Sequence, residues 1–402
     1  MNSCCVVGLG YIGLPTAALF SKKGFNVLGV DINLDIVNKV NKGISPIQEP
    51  SLEDEIQNSV KSGNLKASSK PNYADIFVIA VPTPIKSGSK IPQPDLEYVE
   101  TAIESIIPFL KNGNSIIIES TSPVGTTKDL FSLIIEKTDL NENQIFMAYC
   151  PERVLPGRIM IEISTNKRLI GGINHESSLQ IKEIYKKICD SEIYITDSET
   201  AELVKLAENS YRDLNIAFAN ELSIISSKLD IDVNKVINFT NHHPRVNILR
   251  PSCGVGGHCI ALDPWFLVSQ FPEDTNIIHM SRKVNIFKTQ WTISEISRFI
   301  EKVKNESKNE PKVGIFGLTF KANVNDLRES PALKIANELS KENHTIFCDP
   351  YVSNCSDFVN HSIEETLSNS DILIFLVAHS KFKKININEK KYLDFCGLFD
   401  EI

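Results

Sequence analysis

The feature that most constrains the fold is a glycine-rich turn near the start of the chain, Gly8-Leu9-Gly10-Tyr11-Ile12-Gly13. An apolar run at residues 4–7 leads into it, a helical pattern continues to Lys22, and a second apolar run at residues 27–30 ends at Asp31. Glycines in this context let a pyrophosphate approach the helix N-terminus, where backbone N–H groups are unpaired. A carboxylate after the second strand suits a ribose 2′-hydroxyl. The stretch therefore predicts a strand–helix–strand unit that binds NAD, and no arginine follows Asp31 to receive the 2′-phosphate of NADP.

Length and composition limit the classes of function. A chain of 402 residues is too long for one ordinary core, so two or three domains are expected. The formal net charge of -8 argues against a dedicated nucleic-acid binder, which would usually be basic. We expect no signal peptide and no bilayer-spanning run. The nine cysteines show no metal-ligand spacing, so we predict no metal site and a reducing, cytoplasmic compartment.

Three further apolar runs, at residues 76–81, 115–119 and 145–149, predict more strands of the same sheet. Thr83 follows the first run, Thr121 the second, and Glu152 with Arg153 the third. Ligands of open α/β sheets bind at the carboxyl ends of strands. Each of these residues alone is explained as simply by a turn, but together they favour one ligand crevice.

A long helical pattern covers residues 199–228. At 100° per residue, one stripe of this helix collects Ala201, Lys205, Asn209, Arg212 and Ile216. A helical lysine is usually a solvated surface charge, but the apolar neighbours of Lys205 favour partial burial. A partly buried lysine is suited to act as an acid or a base. A second long pattern at residues 275–304 predicts a helical spine and a dimer face.

One cysteine lies among glycines in Gly254-Val255-Gly256-Gly257-His258-Cys259, and Asp263 follows four residues later. Glycines there would let a substrate approach the backbone, and a thiol beside an acid suits nucleophilic catalysis. The alternative is a turn that carries a small buried cysteine. Just before it, His243 and Arg245 lie in a loop without further metal-ligand spacing. Arg245 could clamp a phosphate or carboxylate, or the loop could be an ordinary surface loop.

The opening pattern recurs near the C-terminus. Residues 305–311 are polar and predict a linker, after which a strand and glycine turn at 313–318 precede strands at 345–348 and 372–377. This predicts a second α/β domain that lacks the complete GxGxxG motif. Lys321 and Arg328 follow its turn and could meet anionic oxygens, or could be surface charges.

Together these motifs resemble the nucleotide-sugar dehydrogenase family, and the resemblance covers essentially the whole chain. Its carriers are the Gly8–Gly13 turn, Ser120-Thr121, Pro151-Glu152, Glu202 to Lys205 with Asn209, Gly256 to Cys259 with Asp263, and Phe320-Lys321 with Arg328. Residues 243–247 and 257–266 are most similar to the branch of the family that oxidises UDP-N-acetyl-D-mannosamine.

The resemblance implies an α/β fold with two Rossmann-like doubly wound domains joined by a long-helix linker domain. The expected boundaries are 1–196 for the NAD-binding domain, 197–304 for the helical dimerisation domain and 305–402 for the UDP-binding domain. It also implies a homodimer or higher homo-oligomer, and two hydride transfers from the sugar C6 to NAD.

The resemblance assigns the site residue by residue. Cys259 would be the nucleophile, Lys205 the acid/base, and Asn209 and Asp263 would support the oxyanion or the attacking water. Cofactor contacts are expected from Gly8, Gly10, Tyr11, Ile12, Gly13, Asp31, Thr83, Thr121 and Arg328. Substrate contacts are expected from Glu152, Arg153, Val154, Lys205, Asn209, Arg212, His243, Arg245, Gly256, Phe320 and Lys321.

The sequence departs from the family in two places, and other functions compete. UDP-glucose enzymes usually carry a second acid after the Pro-Glu motif, where this chain reads Leu155-Pro156-Gly157. Relatives usually continue beyond the position of Ile402, so contacts from such a tail are not expected. The alternatives are a UDP-glucose, UDP-N-acetylglucosamine or UDP-N-acetylgalactosamine 6-dehydrogenase, a β-hydroxyacid dehydrogenase, which would not need Cys259, and a non-catalytic NAD-binding scaffold.

Overall fold

The computed structural model of the chain describes residues 3–86, 88–353, 358–387 and 390–399. The chain forms two compact units: the first comprises residues 1–207 with 265–270, and the second comprises residues 208–264 with 271–402. Residues 400–402 lie outside the described residues. The expectation about contacts from a C-terminal tail therefore also falls outside the described part of the chain.

The first unit is organised around one large sheet. Its strands are β1 (Ser3–Val7), β2 (Asn26–Val30), β3 (Leu65–Ser68), β4 (Ile76–Ile79), the short hairpin β5 (Ile85–Lys86) and β6 (Gln93–Pro94), β7 (Asn114–Ile118), β8 (Ile145–Tyr149), β9 (Arg168–Gly172) and β10 (Ile193–Asp197). The sheet order is β10-β9-β8-β7-β4-β1-β2-β3. Along the part of the sheet ordered β8-β7-β4-β1-β2-β3, every neighbouring pair of strands runs parallel. At the other end of that part, β9 runs antiparallel to β8. The sequence patterns had not predicted β3, β9 or β10.

Helices cover both faces of this sheet. They are α1 (Gly13–Lys22), α2 (Leu34–Asn41), α3 (Leu52–Lys61), α4 (Glu97–Ile106), α5 (Thr126–Lys137), α6 (Ile159–Thr165) and α7 (His175–Tyr185). Successive side chains of a strand point to opposite faces. Accordingly Cys4 and Val6 of β1 belong to one buried apolar cluster, and Cys5 and Val7 belong to the other. Burial on both faces explains why the central strands read as continuous apolar runs.

The second unit contains long helices and a smaller parallel sheet. Its elements are the later part of α8 (Ser198–Lys228), α9 (Val233–Asn241), the start of α10 (Asp263–Gln270), α11 (Asn276–Ser307), β11 (Val313–Phe316), α12 (Pro331–Leu339), β12 (Thr345–Cys348), α13 (Ile363–Asn369), β13 (Ile372–Phe375) and β14 (Lys391–Asp394). The strand order is β12-β11-β13-β14, with every pair parallel. The expected linker at 305–311 was partly wrong, because α11 continues to Ser307 and ends at Lys308 in a left-handed conformation.

A buried polar network joins α8 to α11 within this unit. Arg282 forms an ion pair with Asp213 at 2.6 Å, and both side chains are almost completely buried. The side-chain amide of Asn285 donates to the same carboxylate at 2.8 Å and itself accepts from the amide of Asn220. Buried charges are retained only where partners of this kind satisfy them. The network therefore fixes the register of the two helices.

The predicted fold class is confirmed, with two doubly wound α/β sheets and long helices between them in the chain order. In the part of the chain that is described, no helix combines the length and the apolar character needed to cross a bilayer.

Candidate active site

In the glycine turn of the first unit, backbone atoms leave no room for a side chain at two positions. Gly8 has φ +95°, and a Cβ on it would lie 2.6 Å from the carbonyl oxygen of Ala80. A Cβ on Gly13 would lie 1.9 Å from the carbonyl oxygen of Gly8. At Gly10, by contrast, a Cβ would meet no atom of the chain within 4 Å. The turn is therefore closed on the protein side and open at Gly10, where a pyrophosphate can approach the start of α1.

Asp31 lies at the end of β2 with its carboxylate directed to this turn. One carboxylate oxygen accepts the backbone N–H of Leu9 at 3.0 Å, and the other accepts the N–H of Asn33 at 2.8 Å. The side chain is half-buried and retains lone pairs for a further donor. This placement suits the ribose contact predicted for it.

The other predicted cofactor residues of the first unit lie at the same edge of the sheet. Tyr11 and Ile12 are half-buried at the start of α1, and Thr83 and Thr121 are half-buried after β4 and β7. Parallel neighbouring strands end at one edge, so these positions share the carboxyl end of the sheet with Asp31.

The residues after β8 divide into buried and half-buried positions. Glu152 is buried, and its carboxylate forms an ion pair with Arg168 at 2.9 Å. Arg153 is half-buried and its guanidinium contacts the carbonyl of Lys167, while Val154 packs against the apolar cluster beneath the sheet. The carboxylate of Glu152 is thus engaged inside the unit, and the substrate contact predicted for this residue stays a prediction.

Lys205 is buried, as its apolar neighbours indicated, with 9% of its surface exposed. Its Nζ donates to the backbone carbonyl oxygen of Glu152 at 2.7 Å. The helix that carries it is anchored one turn earlier, because the carboxylate of Glu202 accepts the N–H groups of Gly125 and Thr127 at the start of α5. Burial raises the pKa of Glu202 to about 7, against the lowering effect of these hydrogen bonds.

Cys259 is exposed, whereas six of the eight cysteines in the described ranges are buried and Cys396 is half-buried. The buried alternative considered for this thiol is therefore wrong. The carbonyl oxygen of Cys259 accepts the N–H groups of Leu262 and Asp263 at 3.0 and 2.8 Å. These bonds form the turn that leads into α10, so the cysteine has a fixed position just before a helix.

Asn209 and Asp263 meet in the same unit as Cys259. The side-chain amide of Asn209 donates to the carboxylate of Asp263 at 2.5 Å, and both residues are buried. Arg212, predicted on the same stripe of α8 as Asn209, is exposed. The described contacts therefore join two of the predicted catalytic side chains, while Arg212 remains open to solvent or to a ligand.

The loop that carries His243 and Arg245 is closed at its base by one side chain. The amide of Asn241 donates to the carbonyl of Ile248 at 3.0 Å, and its oxygen accepts the N–H of Ile248 at 2.7 Å. Both His243 and Arg245 are exposed in the loop between them. A loop closed in this way presents these two side chains outward.

The glycines before Cys259 make room for the chain itself. A Cβ on Gly256 would lie 2.4 Å from the carbonyl oxygen of Glu329, and one on Gly257 would lie 2.9 Å from the ring of Phe320. Gly254 similarly faces Thr289 and Pro331. The interpretation that these glycines clear space for a substrate was therefore incomplete: their Cβ positions are filled by residues of the second unit. Contact of substrate with the backbone at Gly256 stays a prediction.

A cavity lies at the carboxyl ends of β11 and β13. Its walls include Ser252, Thr319, Phe320, Lys321 and Val377. The connection after β11 leads to β12 on one side, whereas the connection after β13 leads to β14 on the other side. Such a switch point is where open α/β sheets bind ligands. Phe320 and the half-buried Lys321 therefore line a cavity whose place in the sheet suits the binding of a nucleotide.

Arg328 lies on the loop between β11 and α12. It is exposed, and its guanidinium binds the carboxylate of Asp326 through hydrogen bonds of 2.6 to 3.1 Å. A ligand phosphate would have to compete with this carboxylate or share the guanidinium with it. Its predicted contact with cofactor or phosphate stays a prediction.

The second sheet repeats the turn geometry of the first. Gly317 donates its N–H to the end of β12 at 2.8 Å, as Gly8 does to the end of β2. Asp349 accepts the N–H of Leu318 at 2.7 Å, as Asp31 accepts that of Leu9. Unlike Asp31, Asp349 is 1% exposed and its Oδ2 also binds the ring Nε2 of His379 at 3.0 Å. The sequence had indicated that the strand and glycine turn recur, but not that the acid after the second strand, Asp349, would be buried and bound to His379.

The sequence analysis missed a buried polar cluster behind the strand ends of the first unit. Arg168 contacts Glu152 on one side and the ring of Tyr185 on the other. The hydroxyl of Tyr185 donates to Glu119 at 2.8 Å, and so does the hydroxyl of Thr16, at 2.9 Å. Glu119, the last residue of the predicted strand at 115–119, was the available signal, because an acid at a buried strand end requires a partner.

Comparison with known proteins gives three matches of sequence families along the chain. Residues 2–189 match the NAD binding domain of the UDP-glucose/GDP-mannose dehydrogenase family, 199–286 its central domain, and 314–400 its UDP binding domain.

Individual relatives agree with these matches. The UDP-N-acetyl-D-mannosamine dehydrogenase of Campylobacter jejuni is 44% identical, over 98% of this chain and 99% of the relative. Among solved structures, the UDP-N-acetyl-mannosamine dehydrogenase of Staphylococcus aureus is 39% identical with a TM-score of 0.90, covering 100% of this chain and 96% of that one. The UDP-D-ManNAc dehydrogenase of Pyrococcus horikoshii is 32% identical with a TM-score of 0.91, at the same coverages.

Proposed function

Because the chain belongs to the UDP-glucose/GDP-mannose dehydrogenase family, as its motifs indicated, we propose that its substrate is UDP-N-acetyl-D-mannosamine. The family membership makes it an NAD-dependent nucleotide-sugar dehydrogenase. The proposed reaction converts the C6 hydroxyl to a carboxylate, giving UDP-N-acetyl-D-mannosaminuronate. The similarity to UDP-N-acetyl-D-mannosamine dehydrogenases carries the choice of sugar. The exposed Cys259, in the same unit as the buried Asn209–Asp263 pair, carries the proposed chemistry.

The residues of the first unit fit NAD. The open space at Gly10, the start of α1 and the half-buried carboxylate of Asp31 offer contacts for a pyrophosphate and a ribose. When bound there, NAD would accept the hydride that leaves the sugar carbon. We propose that Thr83 and Thr121, at the neighbouring strand ends, complete the site.

The proposed chemistry assigns a proton to Lys205 and a covalent bond to Cys259. Lys205 takes the hydroxyl proton while C6 loses a hydride, which leaves an aldehyde. The thiolate of Cys259 then adds to the aldehyde carbon, the aldehyde oxygen takes a proton back from Lys205, and a thiohemiacetal forms. Loss of a second hydride, with the hydroxyl proton returning to Lys205, gives a thioester. Water attacks the thioester, the C–S bond breaks, and the carboxylate and the thiolate are released.

Asn209 and Asp263 are proposed to support this sequence of steps. Their mutual hydrogen bond fixes the amide, which could stabilise a developing oxyanion, and the carboxylate, which could orient the attacking water. For the nucleotide end we propose the cavity beside Phe320 and Lys321. The remaining proposed substrate contacts are Glu152, Arg153, Val154, Arg212, His243, Arg245 and Gly256, and Arg328 is proposed to reach cofactor or phosphate.

We also propose a homodimer or higher homo-oligomer that uses α8. Its second-unit part exposes apolar side chains along one stripe, at spacings of three, four and seven residues: Tyr211, Leu214, Phe218 and Ile225. Leu229, just beyond the end of the helix, is exposed as well. A continuous apolar stripe of this length on a helix is typical of an interface. The proposed domain boundaries are 1–196, 197–304 and 305–402. A cytoplasmic location is proposed because none of the eight cysteines in the described ranges forms a disulfide.

The substrate proposal is tested by following cofactor reduction with a panel of UDP-sugars. Purified protein and NAD are incubated with the UDP derivatives of N-acetylmannosamine, glucose, N-acetylglucosamine and N-acetylgalactosamine. We expect the highest kcat/KM with the N-acetylmannosamine nucleotide, and two reduced cofactors for each UDP-sugar consumed. Faster oxidation of UDP-glucose or another panel member would assign that sugar instead, and one reduced cofactor per sugar consumed would mean that the reaction stops at the aldehyde.

A further inference from the structure

We infer that a buried chain of side chains positions Lys205 from behind, through the peptide group that follows Glu152. Its members are Arg168, Tyr185 and Glu119, which are buried and whose contacts described here are with other residues of the first unit. The inference rests on the proposed acid/base role of Lys205. It deepens that role by naming what holds the amine.

The peptide group after Glu152 is held at both ends. Its carbonyl oxygen accepts the Nζ hydrogen of Lys205 at 2.7 Å. Its N–H, which belongs to Arg153, donates to the Glu152 carboxylate at 2.8 Å. A hydrogen bond from the N–H to an anion polarises the peptide and strengthens the carbonyl as an acceptor. The carboxylate of Glu152 therefore acts on Lys205 through its own main chain.

Arg168 in turn fixes that carboxylate. Its guanidinium lies 2.9 Å from the second carboxylate oxygen of Glu152, and the two side chains are 6% and 5% exposed. The same guanidinium donates to the carbonyl of Ile163 at 2.8 Å, so it is held by α6 as well. A charge pair buried this deeply is held in one geometry, since separating the partners would leave an unpaired charge in the interior.

The chain continues to the helix that begins at the glycine turn. The Arg168 guanidinium lies 4.8 Å from the centre of the Tyr185 ring, and the Tyr185 hydroxyl donates to Glu119. The other oxygen of Glu119 accepts the hydroxyl of Thr16, in the first turn of α1. The same series of buried side chains thus connects α1, the proposed cofactor helix, with the peptide group that holds Lys205, the proposed catalytic lysine.

Loosening the chain should move the amine of Lys205, while the substituted residues Arg168, Tyr185 and Glu119 are not themselves among the proposed ligand contacts. We therefore expect kcat to fall while both KM values change little, because a misplaced acid/base group affects the transition state more than ground-state binding. The released amine should also become more accessible to a small acylating reagent. This second readout depends on Lys205 itself rather than on turnover.

The test uses Arg168→Lys, Tyr185→Phe and Glu119→Gln, with Lys167→Met as the matched control. Lys167 precedes Arg168 but forms an exposed ion pair with Glu192. Tyr185→Phe is the mildest change, since it keeps the ring under the guanidinium and removes only the hydroxyl. The measurements are kcat, both KM values, the melting temperature and the rate of Lys205 acylation by acetic anhydride. Mass spectrometry gives that rate relative to the exposed Lys187.

We expect Arg168→Lys to lower kcat about tenfold or more and Tyr185→Phe about threefold, with KM within about threefold of wild type. Lys205 acylation should rise at least about threefold in both, and Lys167→Met should match wild type. Unchanged kcat and acylation in a folded Tyr185→Phe and Glu119→Gln would overturn the inference, whatever the fate of Arg168→Lys.

A separate variant distinguishes this inference from the proposed function. If Lys205→Met lost turnover while the three supporting variants behaved as wild type, the positioning inference alone would fail. If Lys205→Met kept full turnover, the acid/base role would fail and the inference would fall with it. The acylation rates would then describe only how the amine is packed.

Discussion

Asn209 donates its side-chain N–H to the carboxylate of Asp263 across 2.5 Å, in a buried pair that joins α8 to the start of α10. The two residues are 54 positions apart in the sequence. Neither the helical stripe that contains Asn209 nor the glycine stretch before Asp263 indicated that they meet. Their contact makes the first prediction specific, since it gives each side chain a defined partner.

Asn209→Asp should place a second carboxylate against Asp263. Two such groups share a proton or repel each other, so the variant should lose more stability at pH 8 than at pH 5, by roughly 1–3 kcal/mol. Turnover at pH 8 should fall about 100-fold, as the amide donor is lost. Urea unfolding at the two pH values measures the first effect and initial rates the second. Equal destabilisation at both pH values would mean that the two groups are not in contact in solution.

Cys259 should be the cysteine that reacts first with iodoacetamide, because it is exposed. Cys253, six residues earlier, is its control: burial raises the pKa of that thiol to about 12, and its Sγ lies 3.7 Å from the carbonyl of Leu376. Cys259→Ala should bind both ligands but lose the four-electron reaction, whereas Cys253→Ala should keep most of the turnover.

Mass mapping after brief alkylation checks the order of reaction, and bound UDP-sugar should protect Cys259. Inactivation that follows another cysteine, or a fully active Cys259→Ala enzyme, would remove the thioester step from the proposal.

Asp31 should select NAD over NADP, because its carboxylate at the end of β2 would repel a 2′-phosphate. Asp31→Asn removes the charge and keeps one amide oxygen, which can accept the N–H of Leu9 or that of Asn33 but not both. We expect the ratio of kcat/KM for NADP to that for NAD to rise about tenfold, equivalent to ~1.4 kcal/mol. The exposed Asp35 provides the matched variant, Asp35→Asn, which should leave the ratio unchanged. Comparable use of both cofactors by the wild type would contradict the prediction.

Arg245 should bind an anionic part of the substrate, and in the proposed homo-oligomer the loop of a neighbouring subunit can supply this arginine. Arg245→Ala should raise KM for the UDP-sugar by about tenfold or more, since a charge-assisted contact contributes roughly 1.5–3 kcal/mol. Arg250→Ala, at an exposed position just beyond the Asn241–Ile248 closure, is the control. Steady-state kinetics measures KM for the UDP-sugar. If KM is unchanged in both variants, the loop has only a structural role.

Glu119 should make the folded state less stable as the pH rises. Burial raises its pKa from 4.5 to about 7, the charge of Glu152 adds to this, and Arg168, Tyr185 and Thr16 oppose it. The folded state therefore binds the proton more tightly, so this contribution is complete below pH 4.5 and is lost between about pH 4.5 and 7.

Glu119→Gln removes this loss. Relative to wild type, the variant should gain roughly 1–3 kcal/mol of unfolding free energy between pH 5 and pH 8. Urea unfolding of both proteins at the two pH values measures the gain, with the exposed Glu136→Gln as control. If the unfolding free energies of wild type and Glu119→Gln change with pH by the same amount, the buried carboxyl does not titrate between pH 5 and pH 8.

The parts of the fold that could be predicted from sequence are those with local causes. The turn excludes a Cβ at Gly13 because of the carbonyl oxygen of Gly8, only five residues away, so the glycine spacing indicates the turn. The buried strand β8 was predicted with its observed bounds, Ile145–Tyr149, because burial on both faces leaves a continuous apolar run. The burial of Lys205 was likewise visible in its apolar neighbours.

The parts that could not be predicted depend on partners distant in sequence. Arg168 reads as a surface charge, and only the antiparallel pairing of β9 with β8 explains its burial against Glu152. The space in front of Gly256 and Gly257 is filled by Glu329 and Phe320, about seventy residues later. A single sequence shows that a glycine is present, but not which neighbour requires it.

The closed acidic position of the second sheet has a consequence for competition between nucleotides. Asp349 already receives hydrogen bonds from Leu318, Thr319 and His379, and Nδ1 of the histidine accepts the N–H of Asn323, which leaves the proton on Nε2 for the carboxylate. A ribose diol arriving at this edge would find its usual acceptor saturated. Because UDP and NAD both carry such a diol, neither nucleotide can use this acid in the way proposed for Asp31, and the ribose of a nucleotide bound to the second unit must find its acceptors elsewhere.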